Sequence, residues 1–365
     1  MNALANMKQN MAEFKTLDAK DKKSRVADLL LNNAIYILLV IFVIYTATQN
    51  KNFLTVNSLV NIVSLAASSL PIALGIGGCI VLTGTDLSAG RVVGLTAAIS
   101  AAMLQAVDWG KRMFPNLPNF SNPPGIVLTI LVVIIVGGLV GVVNGFFVAK
   151  FSLHPFIVTL ATQLIVYGLI LEFYMLNGNN GQPLSGLSET FKNFVTGAMF
   201  RIPTGNGQSV AVPWYVLYAV ILTAIMWFIW NKTTFGKNMF AVGSNPEAAN
   251  VSGVNVFKTT VMVHTLAGCM YGLEGFIESA RIQSNTATTG LNYECDAIAA
   301  CVIGGVSFVG GTGKISGIVL GVFLLRIIFV ALNMLSISQN LQYVIKGLII
   351  LIACSIDMRK YLVKK

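Results

Sequence analysis

The sequence predicts an all-α polytopic membrane protein with about ten transmembrane helices, an internal duplication and both termini in the cytoplasm. Three observations predict it. Mean hydropathy is +0.75, and apolar runs of about 20 residues recur along the chain, more than the core of a soluble domain needs. The runs are continuous rather than alternating, which argues for helices and against a β-barrel. Two strings share a pattern: Ile80-Val-Leu-Thr-Gly-Thr-Asp-Leu-Ser-Ala-Gly90 and Cys301-Val-Ile-Gly-Gly-Val-Ser-Phe-Val-Gly-Gly311. Gly84 laid on Gly305 brings Gly90 onto Gly311, and each string holds a serine, Ser88 or Ser307. Two Gly-bounded breaks, each between apolar runs, suggest a duplicated chain with a shared working centre.

In chain order, residues 1–28 form a basic cytoplasmic tail, 29–358 the transmembrane domain and 359–365 a short cytoplasmic tail. The first carries Lys8, Lys15, Lys20, Lys22, Lys23 and Arg25. That is too long a basic stretch for a cleavable signal peptide, and no small-residue cleavage site follows it, so the first span is expected to stay in the membrane. The spans are expected at 29–48, 57–82, 88–107, 125–149, 155–176, 213–230, 257–280, 295–309, 315–334 and 341–356. The second is long and the eighth short, which marks them as tilted, broken or re-entrant. With the N-terminus inside, 16 of the 24 Lys and Arg residues face the cytoplasm and 6 the outside, while Arg326 and Lys346 fall within spans. The net charge of +10 lies in short pieces between apolar runs, so it does not indicate a nucleic-acid partner.

Two external loops are long. Residues 108–124 are rich in Pro and Asn, and 177–212 mix Gly and Pro with amphipathic pieces; they are either solvated linkers or a docking surface for an extracytoplasmic partner. The internal loop 231–255 has helix punctuation. Ser244 or Asn245 can cap, Pro246 takes the first position, Glu247 suits the dipole, Ala248 and Ala249 continue, and Ser252 and Gly253 close it. A short helix lying against the membrane between two spans is either an unpartnered surface helix or, the favoured reading, a cytoplasmic protein contact.

The candidate gate comprises Gly84, Asp86, Ser88, Gly90, Arg91, Gly305, Ser307 and Gly311. Either Asp86 and Ser88 cap the third span at a cytoplasmic turn, or the break lines or gates a pathway. Loop charge sets Arg91 and Lys314 on or near the cytoplasmic side, which favours an inner gate. Glu274, Glu278 and Arg281 share one helix face, and Glu294 and Asp296 begin the next span, giving a candidate outer mouth. Glu278 and Arg281 form a structural pair there or face a vestibule, and Arg326 and Lys346 are available to pair with these carboxylates. Gly137 and Gly141, four apart, indicate close helix packing within one chain or between two. Asn144, Thr159, Gln163 and Asn333 bond either neighbouring helices or solute hydroxyls.

Several chemistries are excluded. Gly310-Gly-Thr-Gly-Lys314 is not a phosphate loop, because Phe308 occupies the required first Gly position and Ile315 the Ser/Thr position. Cys79, Cys269, Cys295, Cys301 and Cys354 form no CxxC, and His154 and His264 have no ligand spacing, so no metal or disulfide framework is expected. No hydrolase constellation appears, and the chain is read as a non-enzyme.

Asn245-Pro-Glu-Ala-Ala, the residues from Gly84 to Arg91, and Tyr293-Glu-Cys-Asp-Ala-Ile-Ala-Ala-Cys-Val-Ile-Gly-Gly together resemble the sugar-type permeases of ABC importers, in the ribose/galactose branch, over about residues 29–360. The wording around residues 84–91 and 296–308 is most similar to galactose-type members. The resemblance implies a permease subunit in the bacterial inner membrane that pairs with a second copy and sits on two ATP-binding domains. It receives a neutral monosaccharide from a soluble sugar-binding protein. It binds no cofactor itself, ATP and Mg being used by the partner subunit, and residues 245–253 would transmit ATPase closure. The competing readings are an ion-coupled secondary transporter using Asp86, Arg91, Glu274 and Glu278, a scaffold or channel, and another sugar such as ribose.

Overall fold

A computed structural model describes residues 34–205 and 208–362, so the basic tail at 1–28 and the start of the first span lie outside the described residues. The helices are α1 (Ala34–Gln49), α2 (Val56–Val81), α3 (Ala89–Met103), α4 (Pro123–Phe151), α5 (Pro155–Met175), α6 (Glu189–Thr196), α7 (Trp214–Lys232), α8 (Thr234–Ser244), α9 (Pro246–Val251), α10 (Val256–Ile282), α11 (Tyr293–Ile303), α12 (Ile315–Met334) and α13 (Gln339–Leu362). Many begin on polar caps. Asn122 Oδ1 accepts from Gly125 N at 2.8 Å to start α4, and Asn255 Oδ1 accepts from Lys258 N at 2.8 Å to start α10. Five of the helices in the described residues are long and apolar enough to cross a membrane, namely α2, α4, α5 with its short extension, α7 and α12.

The 27-residue α10 is the axis of the bundle and packs against α4, α3 and α2. It is absent from the apolar set because it carries polar groups, among them His264, Tyr271, Glu274 and Glu278, each about 1% exposed. Its approach to α4 depends on facing glycines. A Cβ on Gly137 would strike the Gly268 carbonyl, and one on Gly268 the Gly137 carbonyl. The Gly137/Gly141 face is therefore a seam within the chain. The opposite face of α4 leaves Leu131, Ile135 and Leu139 exposed, as α5 does with Leu164 and Ile165 and α7 with Val220 and Ile225. Apolar side chains turned outward around a bundle whose polar groups point inward are what a hydrocarbon solvent selects.

Two expected spans are shorter than a full span. At 1.5 Å per residue the 15 residues of α3 reach about 22 Å and the 11 of α11 about 16 Å, short of a hydrocarbon core of about 30 Å. The segment before α3 climbs along α5. Gly84 meets Pro155, Leu87 N donates to Thr159 Oγ1 at 3.1 Å, and the Arg91 guanidinium lies 4.1 Å from the Tyr167 ring. α3 thus starts inside the bundle. α11 starts beside it, for Gly90 abuts Glu294 Oε2 and the Gly290 carbonyl, and Gly94 abuts that of Thr289. At its other end Gly304 meets the Gly317 carbonyl at the foot of α12.

The chain is mostly helical rather than strictly all-α. Residues 198–213 hold a two-stranded antiparallel hairpin, β1 (Ala198–Gly205) with β2 (Gln208–Pro213), in a stretch the sequence suggests is a loop with amphipathic pieces. Its alternation is broken by Pro203 and by register shifts, which removes the period-two signal. The internal loop contains α8 as well as α9. α13 continues to Leu362, into the stretch read as a tail, and residues 363–365 lie outside the described residues.

Candidate functional site

Three groups of side chains gather around the breaks. The first is Asp86, fully buried in the turn between α2 and α3. Its Oδ1 accepts from Ser88 N at 3.0 Å and Ser88 Oγ at 2.6 Å, and its Oδ2 accepts from Tyr271 OH at 3.3 Å. Asn144 Nδ2 donates to Ser88 Oγ at 2.9 Å, and Thr162 Oγ1 donates to Asn144 Oδ1 at 2.6 Å. One chain of bonds therefore ties the break to α4, α5 and α10. Asn144 and Thr159 bond neighbouring elements, and Asn333 Oδ1 accepts from Gln342 Nε2 at 2.9 Å. Cys79 Sγ lies 3.6 Å from His264 Nδ1, and the candidate ligand atoms of Cys79, Asp86 and His264 fall within 4.8 Å of one another. Sequence spacing gave no sign of that grouping, because its members come from separate helices. All three already have hydrogen-bond partners in the chain.

The second group joins the two Gly-bounded strings. Gly311 N donates to Val81 O at 2.9 Å, and a Cβ on Gly310 would meet Thr83 and the carbonyls of Gly243 and Val81. Gly305, Gly310 and Gly311 have φ of +82°, +89° and +67°, a region other residues rarely adopt. Ser307 Oγ accepts from Val309 N at 3.2 Å within this loop. The same loop touches the cytoplasmic-loop helices, because Gly311 abuts Ser244 and Gly243 abuts Val81 O. Asn245 is the cap of α9, its Oδ1 accepting from Ala248 N at 3.0 Å, whereas Ser244 Oγ donates to Phe240 O at 2.9 Å. Pro246 is the first residue, Ser252 Oγ returns to Ala248 O at 2.8 Å, and Gly253 has φ +83°. Ala249 is buried against the bundle. Glu247 is exposed, and Val251 is 91% exposed, an apolar side chain presented outward.

The third group is ionic. Arg281 Nε and Nη2 donate to the two Glu278 oxygens, both at 2.6 Å, and Tyr293 OH donates to Glu278 Oε1 at 2.5 Å. Asp296 takes Lys346 Nζ at 2.9 Å and Arg326 Nη1 at 3.9 Å, and Arg326 Nη2 donates to Ser69 Oγ. Arg326 and Lys346 therefore converge on Asp296. Ser69, a polar residue in the apolar α2 run, escaped the sequence reading, and its position there was the available signal. Glu274 Oε2 is buried with no donor.

One placement differs from expectation. Loop charge sets Arg91 at an inner gate and Glu294 at an outer mouth, yet Gly90 and Glu294 are in contact. Charge counting assigns each residue to one face or the other. It has no place for a helix that starts midway, as α3 and α11 do. Arg91 is 8% exposed, and its Nη1 is buried without a partner.

The family described as "Branched-chain amino acid transport system / permease component" matches residues 52–354. A galactose/methyl galactoside import permease protein of Haemophilus influenzae is 42% identical over 344 residues, 94% of this chain and 99% of that one. One from Escherichia coli is 41% identical over 349 residues, 96% of this chain and 100% of that one. A ribose import permease protein of Haemophilus influenzae is 33% identical over 334 residues, 91% of this chain and 95% of that one. No solved structure matches.

Proposed function

Because the chain belongs to the branched-chain amino acid transport system / permease component family, we propose that it is the membrane permease subunit of an ATP-driven importer of a galactose-type sugar. The observation that carries this reading is the 42% identity, end to end, with a galactose/methyl galactoside import permease protein. The chain is a multi-pass integral protein of the bacterial cytoplasmic membrane, and a transporter subunit rather than an enzyme.

The finer reading follows from the residues. Residues 29–358 form the permease domain, with about ten spans or half-spans and both termini cytoplasmic; the 16-to-6 distribution of basic residues supports that orientation. A second copy completes the pathway. A soluble sugar-binding protein delivers a neutral monosaccharide from outside, and two ATP-binding domains of a separate subunit use ATP and Mg inside, with no cofactor held by this chain. Asn245, Pro246, Glu247, Ala248, Ala249, Ser252 and Gly253 form the ATPase contact, supported by the exposed Glu247 and Val251. Movement of α9 passes through Ser244 and Gly243 to Gly311 and Val81, and so to both helix breaks. That continuity supports Gly84, Asp86, Ser88, Gly90, Arg91, Gly305, Ser307 and Gly311 as the gate. Glu274, Glu278, Arg281, Glu294 and Asp296 line the outer half of the pathway.

The test is galactose uptake by proteoliposomes. Uptake that requires ATP, the ATPase subunit and the binding protein is expected; uptake by this chain alone on an ion gradient overturns the reading. Competition by ribose and glucose assigns the sugar. Reversing the exposed charge with Glu247→Arg is expected to cut uptake about tenfold, the scale of one lost charged contact of about 1.4 kcal/mol. Sugar binding to the soluble partner should be untouched. Normal uptake and normal ATPase coupling in that variant would remove residues 245–253 from the contact.

A further inference from the structure

Between α2, α10, α11 and α12 lies a cavity of about 10 Å³, lined by Ser69, Glu274, Tyr293, Asp296 and Arg326 with apolar side chains between them. We propose that this cavity is the closed form of a sugar-hydroxyl subsite in the translocation pathway, with Glu274 and Ser69 Oγ as acceptors and Arg326 as donor; the proposal rests on the importer reading above.

Four observations carry it. Glu274 is 1% exposed, and its Oε2 has no donor. Buried acceptors nearly always have a partner, so a group that is not part of the chain belongs at that oxygen. The charged groups around it are already paired within the chain, Glu278 with Arg281 and Asp296 with Lys346 and Arg326. A neutral hydroxyl, which can donate to Glu274 and accept from Arg326, completes the cavity without disturbing those pairs. The cavity also lies at the start of α11, the half-length helix, and irregular backbone at such depth is tolerated where it lines a pathway. Finally, the volume holds the centre of one water and no more, so a sugar enters only when the walls part. The bonds that hold them together run from Arg326 on α12 to Ser69 on α2 and to Asp296 on α11, and from Lys346 on α13 to Asp296. A sugar hydroxyl accepting from Arg326 takes the place of Ser69 Oγ as the walls separate, while Lys346 stays on Asp296, so neither charge is stranded.

The experiment uses the complete importer in proteoliposomes, with one binding protein throughout, and compares galactose with its four non-anomeric monodeoxy analogues at saturating loaded binding protein. Glu274→Gln and Ser69→Ala are near-isosteric, so the assembly is expected to form, which ATP hydrolysis stimulated by the binding protein will show. A hydroxyl read by a buried polar group discriminates against its absence by roughly tenfold. The expected result is that Glu274→Gln lowers the preference for galactose over one analogue by about that factor, leaving the other ratios within about twofold. Ser69→Ala should shift one ratio less. Equal losses for all sugars, or no change, would overturn the subsite and leave the cavity as a place for a bound water only. Failure of the unmodified assembly to show ATP-dependent uptake would instead overturn the importer reading.

Discussion

Two buried polar groups in this bundle invite comparison, the network on Asp86 and the cavity at Glu274. Both centre on a carboxylate about 1% exposed or less, both lie next to a shortened helix, and both involve a side chain of α10. They differ in completion. Each Asp86 oxygen accepts a bond from Ser88 or Tyr271, and the bonds continue through Asn144 to Thr162 on a third helix. Glu274 keeps one oxygen with no donor beside a cavity. A satisfied buried network fixes geometry, whereas an unfinished one is tolerated where something else completes it. The Asp86 break is therefore built to be held, and the Glu274 cavity to be filled.

The sharpest way to break the comparison is Asp86→Ala. It strands Ser88 N, Ser88 Oγ and Tyr271 OH as buried donors, so a loss of about 3 kcal/mol or more is expected, with transport abolished. Thermal unfolding of the purified chain in detergent checks it; a change of under about 1 kcal/mol would mean the break is not held by this carboxylate. Next comes Asn144→Leu, similar in size but without polar atoms. It cuts the link between Ser88 and Thr162, and about 2 kcal/mol is expected in the same measurement. Thr162→Val removes only the last bond, which at membrane depth is worth about 1 kcal/mol.

Much of this was legible in the sequence. Continuous apolar runs marked the helices, and the Gly137/Gly141 spacing marked a close seam, which the structure assigns to α10 within the chain. The capping residues of the cytoplasmic loop marked α9, with Asn245 rather than Ser244 as the cap. The Glu278–Arg281 pair followed from helical spacing, being three residues apart. What the sequence did not disclose is depth. α3 and α11 read as ordinary spans because composition does not record where along a bundle a helix begins. Arg91 and Glu294 were for that reason assigned to opposite ends, although Gly90 touches Glu294. Ser69, Tyr167 and the Cys79/His264 contact were invisible for a related reason, since each depends on which helices become neighbours.

The smallest expected effect sharpens the comparison most. Glu274→Gln keeps shape and one acceptor while exchanging a carboxyl oxygen for an amide nitrogen. No donor inside the chain reaches Oε2, so no hydrogen bond at that oxygen is lost, and the change in stability is expected to stay within about 1 kcal/mol. Asp86→Asn, the matching substitution in the satisfied network, differs in kind. Its Oδ1 can keep both Ser88 bonds, but an amide nitrogen meets Tyr271 OH where an acceptor stood, so the hydroxyl must reverse its role. A measurable loss of about 1–2 kcal/mol is expected there. If both amides cost the same, the two carboxylates are equally engaged within the chain, and the distinction between a held break and a fillable cavity fails. If the Glu274 variant is the more stable of the pair yet transports with altered sugar preference, the unfinished bond belongs to transport rather than to folding.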